Sequence, residues 1–385
     1  MQKAVFSLKP KIIFGPGSIN DIGDEIRSVE PNPKVFVCTD AGIAKSGISS
    51  QVTAVLDDQG IQYALFSDVV PNPKMETVDQ ALAAMKKFGG NVIVAIGGGS
   101  PMDTAKAVAG LYTNGGKISD YEGFELMKKP AIPIIAIPTT YGTGSEVGNC
   151  AVITNEEKNY KMMIISDCLS PKVAIVDPDL LVALPPKIAA STAIDALTHA
   201  IESYTCLRAN PVTDALNIHA IKLIAQNGPQ AIMSNCNLEA TANMAIASTL
   251  AGAAMGNTGL GLVHAIAHAL GGVADMPHGI ANSILLPYVM RFNLPAVPKK
   301  YQNVGIAMGA DVGKLCPLEA ARITCTKVIP EFCQLVGVPS KLREVGLDKK
   351  LFDMIANYAM KDGNFPPNPR VASKEDILAI LEEAY

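Results

Sequence analysis

Three of the chain's five histidines fall in one short stretch, GLGLVHAIAHALGGVADMPHG (259–279). Nearly every residue around them is apolar or small, so a helix formed there is buried. A buried imidazole needs a partner, because an unpaired polar group in an apolar interior costs about 1–3 kcal/mol. His264 and His268 stand four apart on one helix face, a spacing that lets two imidazoles reach one cation. His278 lies beyond Gly271-Gly272, which reads as a helix break. It sits between Pro277 and Gly279, on a loop able to fold back. The plainer alternative is two core histidines bonded to backbone carbonyls and one surface histidine. A second half of a site is offered by STAIDALTHAIESY (191–204), where Asp195, His199 and Glu202 follow one stripe at i, i+4, i+7. That stripe could be a solvated face, but it carries no lysine or arginine, and its carboxylate and imidazole one turn apart can converge on a cation. A carboxylate with imidazoles and no thiolate suits Fe(II), Zn(II), Ni or Mn. His219, in NPVTDALNIHAIKLI, has no evident partner and reads as structural.

Other residues suit a phosphate-bearing ligand. GGGSP (97–101) follows an apolar run and opens a helix. Its glycines let a backbone approach closely, Ser100 can cap, and Pro101 suits the first helical position. The free N–H groups of a helix N-terminus favour pyrophosphate, although a bare structural turn has the same look. Asp40 ends VFVCTD, where it could accept from a ribose or simply cap a helix. The row PTTYGTGSE (138–146) packs hydroxyls around glycines at another strand end.

The elements that must position these residues are legible in outline. KVFVCT (34–39), QYALF (62–66), NVIVAI (91–96), PIIAI (133–137) and KVAIV (172–176) are short apolar runs suited to a parallel sheet covered on both faces. Helix-compatible stretches at 47–59, 75–88 and 101–111 alternate with them, which predicts a Rossmann-like, doubly wound α/β domain. AVITNEEKNYKMMIIS (151–166) reads as a hairpin inserted on that sheet. Past Asp177-Pro178-Asp179 the pattern turns helical almost to Tyr385, so the boundary is expected near 182–187. The expected domains are 1–183, α/β and dinucleotide-binding, and 184–385, all-helical and metal-binding.

A chain of 385 residues, 49% hydrophobic and 18% charged, fits two well-buried globular domains. The net charge of −4 gives no electrostatic reason to expect nucleic acid. Eight scattered cysteines without a CxxC pair read as reduced thiols of a cytoplasmic protein. The run 240–274 has no charged side chain but is rich in Ala, Gly, Thr and Asn and broken at Gly256-Asn257-Thr258-Gly259, so it reads as a buried helical hairpin and not a membrane span.

GGGSPMDTAK (97–106), PTTYGTGSE, DALTHAIE (195–202), GLGLVHAIAHALGG…MPHG and KDGNFPPNPR (361–370), in this order, resemble the iron-containing, group III alcohol dehydrogenase family over essentially the whole chain. Within it the chain is most similar to the branch of 1,3-propanediol dehydrogenases and lactaldehyde reductases. The resemblance implies an active site in the cleft between an α/β and a helical domain. It implies a divalent metal, Fe(II) first and Zn(II) second, held by Asp195, His199, His264 and His278. His268, which spacing alone favours as a co-ligand of His264, is implied to stand beside the metal as a proton relay. Asp40, Asn72, Gly98, Gly99, Ser100, Asp103, Thr139, Thr140, Thr143 and Lys161 are implied to bind the cofactor, NAD rather than NADP because Asp40 repels a 2′-phosphate. Tyr141 stands where many members carry a smaller residue, which bears on substrate size. The implied reaction is reversible hydride transfer between NAD and a small primary alcohol or diol, by a homodimer or larger homo-oligomer. A dehydroquinate-synthase-like or glycerol-dehydrogenase-like enzyme, and a non-catalytic NAD- or metal-binding protein, are the alternatives.

Overall fold

The computed structural model describes residues 3–157, 160–234 and 237–385. Two compact units emerge: one of Leu8–Thr140 and Gly144–Val182, the other of Ala183–Tyr385 with Tyr141–Thr143 and the residues up to Ser7.

The first unit is built on strands β1 (Lys11–Phe14), β2 (Lys34–Asp40), β3 (Gln62–Val69), β4 (Val92–Gly97), β5 (Gly123–Phe124), β6 (Ile134–Pro138), β7 (Cys150–Asn155), β8 (Tyr160–Ile165) and β9 (Val173–Val176). Six of them form one all-parallel sheet in the order β1-β9-β6-β4-β2-β3. Continuous apolar runs are what a sheet covered on both faces requires. Val35, Val37, Val94, Ile96, Ile135 and Ile137 join one apolar layer, while the alternating Phe36, Cys38, Ile93, Ala95, Ile134 and Ala136 join the other. Helices α1 (Ile22–Val29), α2 (Ala41–Ser46), α3 (Ile48–Asp58), α4 (Met75–Phe88) and α5 (Gly99–Asn114) connect the strands. Ile22 and Ile26 of α1 and Val52 and Leu56 of α3 cover the first face. Val78, Leu82 and Met85 of α4 and Met102 and Val108 of α5 cover the second. The chain therefore leaves β2 toward one face and the neighbouring β4 toward the other. The carboxyl ends of such a pair form the crevice where α/β sheets take ligands.

In this first unit three expectations need correction. The edge strand β1, a four-residue KIIF with half-exposed side chains, was too short to read, so the glycine run follows the fourth strand, not the third. The β7–β8 hairpin is antiparallel as expected, but it belongs to a separate three-stranded sheet with β5 and is not inserted on the main one. Lys158 and Asn159 of its expected turn lie outside the described residues. The α5 helix starts at Gly99 with Gly98 as N-cap, so Pro101 falls at the third position, and no side chain, Ser100 included, caps it.

The second unit is helical: α6 (Pro186–Thr205), α7 (Pro211–Met233), α8 (Leu238–Thr258), α9 (Leu262–Ala274), α10 (His278–Asn293), α11 (Pro298–Ala307), α12 (Pro317–Ile323), α13 (Ile329–Leu335), α14 (Phe352–Ala359) and α15 (Lys374–Ala384). Pro186 opens α6 at the position where its missing N–H costs nothing. Helices α6, α7 and α8 pack on one another, and α9 and α6 both pack on α10. Among the described residues no single helix is long and apolar enough to cross a membrane, and α8 and α9, which pass only as a pair, bend by 98°. The break before His278 is not at Gly271-Gly272, which continue α9. It is at Asp275, whose φ of 49° ends the helix, and His278 is the first residue of α10 rather than a loop residue.

Candidate metal centre and cofactor cradle

Asp195 and His199 project from one face of α6, His264 from α9 and His278 from the first turn of α10. One nitrogen or oxygen of each lies within 4.8 Å of the others. Asp195 Oδ1 is the hub, 3.9 Å from His199 Nε2, 3.8 Å from His264 Nε2 and 3.6 Å from His278 Nε2. Asp195, His199 and His264 are buried, and His278 is partly exposed. His268 does not join this group. Its ring lies 6.1 Å from that of His264 and 5.4 Å from that of His278, and its Nδ1 meets Asp362 Oδ2 at 2.8 Å. The structure thus groups His264, and not His268, with Asp195, His199 and His278. His219 is exposed on α7.

The partners of their other ring nitrogens fix which nitrogen His199 and His264 turn inward. His199 Nδ1 meets the Gly142 carbonyl at 3.1 Å. Gly142 has to be glycine, because a Cβ there would come within 2.6 Å of Thr192. His264 Nδ1 meets Glu202 Oε2 at 2.6 Å. Burial pushes the Glu202 carboxyl up to about 7, against the backbone N–H groups of Val263, His264 and Gly261 that favour its charge. Burial first, and His199 next, hold His264 well below the ordinary histidine pKa, so its imidazole is neutral, the form that ligates. Burial raises the Asp362 carboxyl, but His268 and the Asn364 N–H outweigh it and leave a net lowering. Asn282, one turn after His278, reaches into the group from α10. None of Glu202's orienting role, Asp362 or Asn282 was read from sequence. The first sat on a noted stripe, the second lies in an irregular KDGNF segment, and the i, i+4 pairing of Asn282 with His278 was the one local signal available.

In the α/β unit, β2, β4 and β6 end side by side, since Cys38 pairs with Ala95 and Gly97 with Pro138. Gly97, at φ 148°, takes a conformation that side chains rarely adopt, and a Cβ there would meet Pro101 at 2.5 Å. Thr139 N donates to Gly97 O at 3.0 Å, bringing the PTT row against the glycine turn, with Gly98 packed on Thr140. Gly99 and Ser100 form the first turn of α5. The hydroxyls of Thr139 and Thr140 are buried without a hydrogen-bond partner among the described residues. Asp40 caps α2, its Oδ1 accepting from Gly42 and Ile43 N–H. Lys161 on β8 donates to Asn72 Oδ1 at 2.9 Å. Asp103 faces inward, accepting from Ser145 Oγ at 3.1 Å and Val152 N at 3.1 Å. Lys106, fully buried one turn on, donates to Ser145 Oγ at 2.7 Å and Cys150 O at 3.0 Å. Thr143 belongs with the helical unit, as does Tyr141, whose side chain is buried with its hydroxyl lacking a partner among the described residues.

Two family descriptions match the chain: "Iron-containing alcohol dehydrogenase" over residues 9–178 and "Fe-containing alcohol dehydrogenase family, C-terminal" over residues 189–385. The chain belongs to this family. It is 41% identical over 374 residues to a 1,3-propanediol dehydrogenase of Klebsiella pneumoniae, covering 97% of this chain and 96% of that protein. It is 37% identical over 379 residues to an NAD-dependent methanol dehydrogenase of Bacillus methanolicus, covering 98% and 99%. A crystal structure of a 1,3-propanediol oxidoreductase superposes with a TM-score of 0.97 at 40% identity, covering 100% of both chains. Iron-containing alcohol dehydrogenases carry out metal-dependent alcohol oxidoreduction, and that is the reaction class of this chain.

The residues present fit what such a dehydrogenase must hold. One carboxylate and three imidazoles make a hard-to-borderline donor set without thiolate, suited to Fe(II) or Zn(II). In the α/β unit, partnerless buried hydroxyls beside a glycine-rich helix start make a cradle for a polar, phosphate-bearing group.

Proposed function

We propose that this enzyme interconverts a small primary alcohol or diol and its aldehyde, with NAD as hydride carrier. The observation that carries the reading is the group Asp195, His199, His264 and His278, gathered from three helices onto one point, with the His268–Asp362 pair beside it. Asp195, His199, His264 and His278 are assigned to the cation, Fe(II) first and Zn(II) second. When bound, the cation supplies a Lewis acid for the substrate oxygen and NAD supplies the hydride acceptor. Glu202 and the Gly142 carbonyl hold His264 and His199 with Nε2 turned to the cation. His268 takes the hydroxyl proton at Nε2 as the alcohol is oxidised and returns it in the reverse direction. Asp362 keeps the proton on Nδ1, leaving Nε2 as the base.

The cofactor is assigned to Asp40, through the carboxylate oxygen its cap leaves over, to Asn72 and Lys161, to Gly98, Gly99 and Ser100 at the start of α5, and to Thr139, Thr140 and Thr143. Asp103 acts at one remove, by fixing Ser145 and the start of β7. The scattered cysteines support a cytoplasmic setting, and the enzyme is assigned as a homodimer or larger. The test is NADH absorbance with anaerobically prepared protein, metal-stripped and then reloaded with Fe(II) or Zn(II), given ethanol, butanol, 1,2- and 1,3-propanediol. Metal-dependent NADH formation is expected. No NADH turnover with any of these alcohols or their aldehydes overturns the reading.

A further inference from the structure

The separate sheet β5-β8-β7 joins the second apolar layer of the α/β unit through Ala151, Ile153, Met162 and Ile164. Val152 and Thr154 alternate with these residues on β7 and are left to the other side. β7 is an edge of its sheet, and an edge presents backbone groups that no strand serves. Here they are taken up by the main body of the unit. Val152 N donates to Asp103 Oδ2 at 3.1 Å, and Thr154 N donates to Pro73 O at 2.7 Å. The loop between β3 and α4 therefore runs beside β7, with Lys74 in a parallel bridge to Thr154.

That loop carries a residue in an uncommon conformation. Asn72 has a φ of 51°. Asparagine enters the left-handed region more readily than most residues, but Pro73 follows it, and a residue before proline is driven toward extended backbone. Such a conformation persists only where its surroundings hold it, and ligand clamps are where it gathers. The holding groups come from one cross-strand pair, Thr154 and Lys161, which face each other in the β7–β8 register. Thr154 Oγ1 donates to Asn72 O at 3.3 Å, and Lys161 Nζ donates to Asn72 Oδ1 at 2.9 Å. With Thr154 N on Pro73 O, the pair fixes two successive carbonyls and the side chain of Asn72. The Lys74–Glu156 ion pair, 3.3 Å apart, is exposed and adds little.

We propose that Thr154 is a positioning residue for the cofactor: its hydroxyl and N–H hold Asn72 in the left-handed conformation, so that the Asn72 amide and the Lys161 ammonium stand ready-placed for the dinucleotide. The inference rests on the assignment of Asn72 and Lys161 to the cofactor, and Thr154 acts only through Asn72. A loop ordered when the protein folds does not have to be ordered when the ligand binds, so less of the binding energy is lost to fixing it. The three-stranded sheet is then a clamp on the loop that follows β3.

The test is NADH affinity of the full-length protein, read by fluorescence titration. Thr154→Val keeps the N–H and the branched shape but loses the hydroxyl, and should weaken NADH by about five- to tenfold. Thr154→Ser, which restores the hydroxyl, should bind within about twofold of native. Asn72→Gly removes the amide and takes the left-handed conformation without cost, and should weaken NADH by about tenfold. Because Thr154 acts through that amide, Thr154→Val added to Asn72→Gly should weaken binding no further. Native affinity in Thr154→Val, or losses that multiply in the double variant, overturns the positioning role and leaves Asn72 a cofactor residue. Native affinity in Asn72→Gly overturns both. Hydrogen exchange of the native protein decides the matter even if Thr154→Val does not fold. The Thr154 N–H, bonded to Pro73 O, should exchange as slowly without NADH as with it, and a tenfold or greater slowing on adding NADH would mean that the ligand, not the hairpin, orders the loop.

Discussion

His264 and His268 share a helix, a face and a flank of alanines, yet the residues opposite them hold them in different places. A histidine offers one nitrogen by engaging the other. His264 engages Glu202 and turns Nε2 into the group of four, whereas His268 engages Asp362 and stands to one side. His264→Ala should therefore lose the metal, read by inductively coupled plasma analysis after gel filtration, and a fully active, metal-loaded variant would remove His264 from the ligand set. His268→Ala and Asp362→Asn should both keep the metal and lower kcat by about 100-fold. Loss of metal from His268→Ala would instead restore the pairing that HxxxH spacing suggests. That spacing was visible in the sequence, but the choice between partners was not. It depends on Glu202, 62 residues away, and Asp362, 94 residues away, which only tertiary structure brings near.

At the scale of elements, α9 is a 13-residue helix whose N-cap, Gly261, has no capping side chain. Its first N–H groups go instead to distant partners. Glu202 Oε1 accepts from Val263 N at 2.7 Å, and Asn368 Oδ1 accepts from Leu262 N at 3.1 Å. Gly261 permits this, since a Cβ would come within 2.8 Å of Glu202 Oε1. One carboxylate thus caps a helix, where negative charge is favoured, and orients the histidine on its first turn. Glu202→Gln should lower metal affinity by about 10- to 100-fold and cost about 1–2 kcal/mol of stability in the metal-free protein. Chelator competition and urea unfolding read the two effects separately, and a change in stability alone would confine Glu202 to capping. In the α/β unit Lys106 plays the tying part, joining α5 to Ser145 and Cys150 beside Asp103. Burial lowers its pKa while Asp103 opposes the shift, and burial raises that of Asp103 while Lys106 opposes it, so each charge is held by the other. Lys106→Met should leave Asp103 uncompensated, at about 3–5 kcal/mol, and weaken NADH binding because the 139–150 row loosens. Unchanged urea stability would refute it. The five apolar strand runs and the helical second half were legible because each carries its own period. Short β1, the separate β5–β8–β7 sheet and these ties were not, because they are set by contacts across the chain.

At the scale of the whole molecule the residues proposed for the cation and those proposed for the cofactor are drawn from different parts of the chain. The grouped Asp195, His199, His264 and His278 lie on α6, α9 and α10, while Asp40, Gly98, Gly99, Ser100, Thr139 and Thr140 lie at the ends of β2, β4 and β6. A ligand that binds only the folded protein stabilises it by about 2.7 kcal/mol at a hundredfold excess over Kd, and the effect falls first on the elements it ties together. Hydrogen exchange read by mass spectrometry should therefore separate the two. Fe(II) or Zn(II) added to metal-stripped protein should slow exchange in 194–205, 262–274 and 278–286, with much less effect on 92–106. NADH should slow exchange in 40–46, 97–106 and 138–140, where no side chain caps the start of α5 and the Thr139 and Thr140 hydroxyls have no hydrogen-bond partner among the described residues. Protection by metal at the ends of β2 and β4, or none in α9, would mean that the four grouped residues are not its ligands. Protection by NADH that spares 97–106 would mean that the glycine-rich start of α5 is only a turn, the plain reading its sequence also allowed.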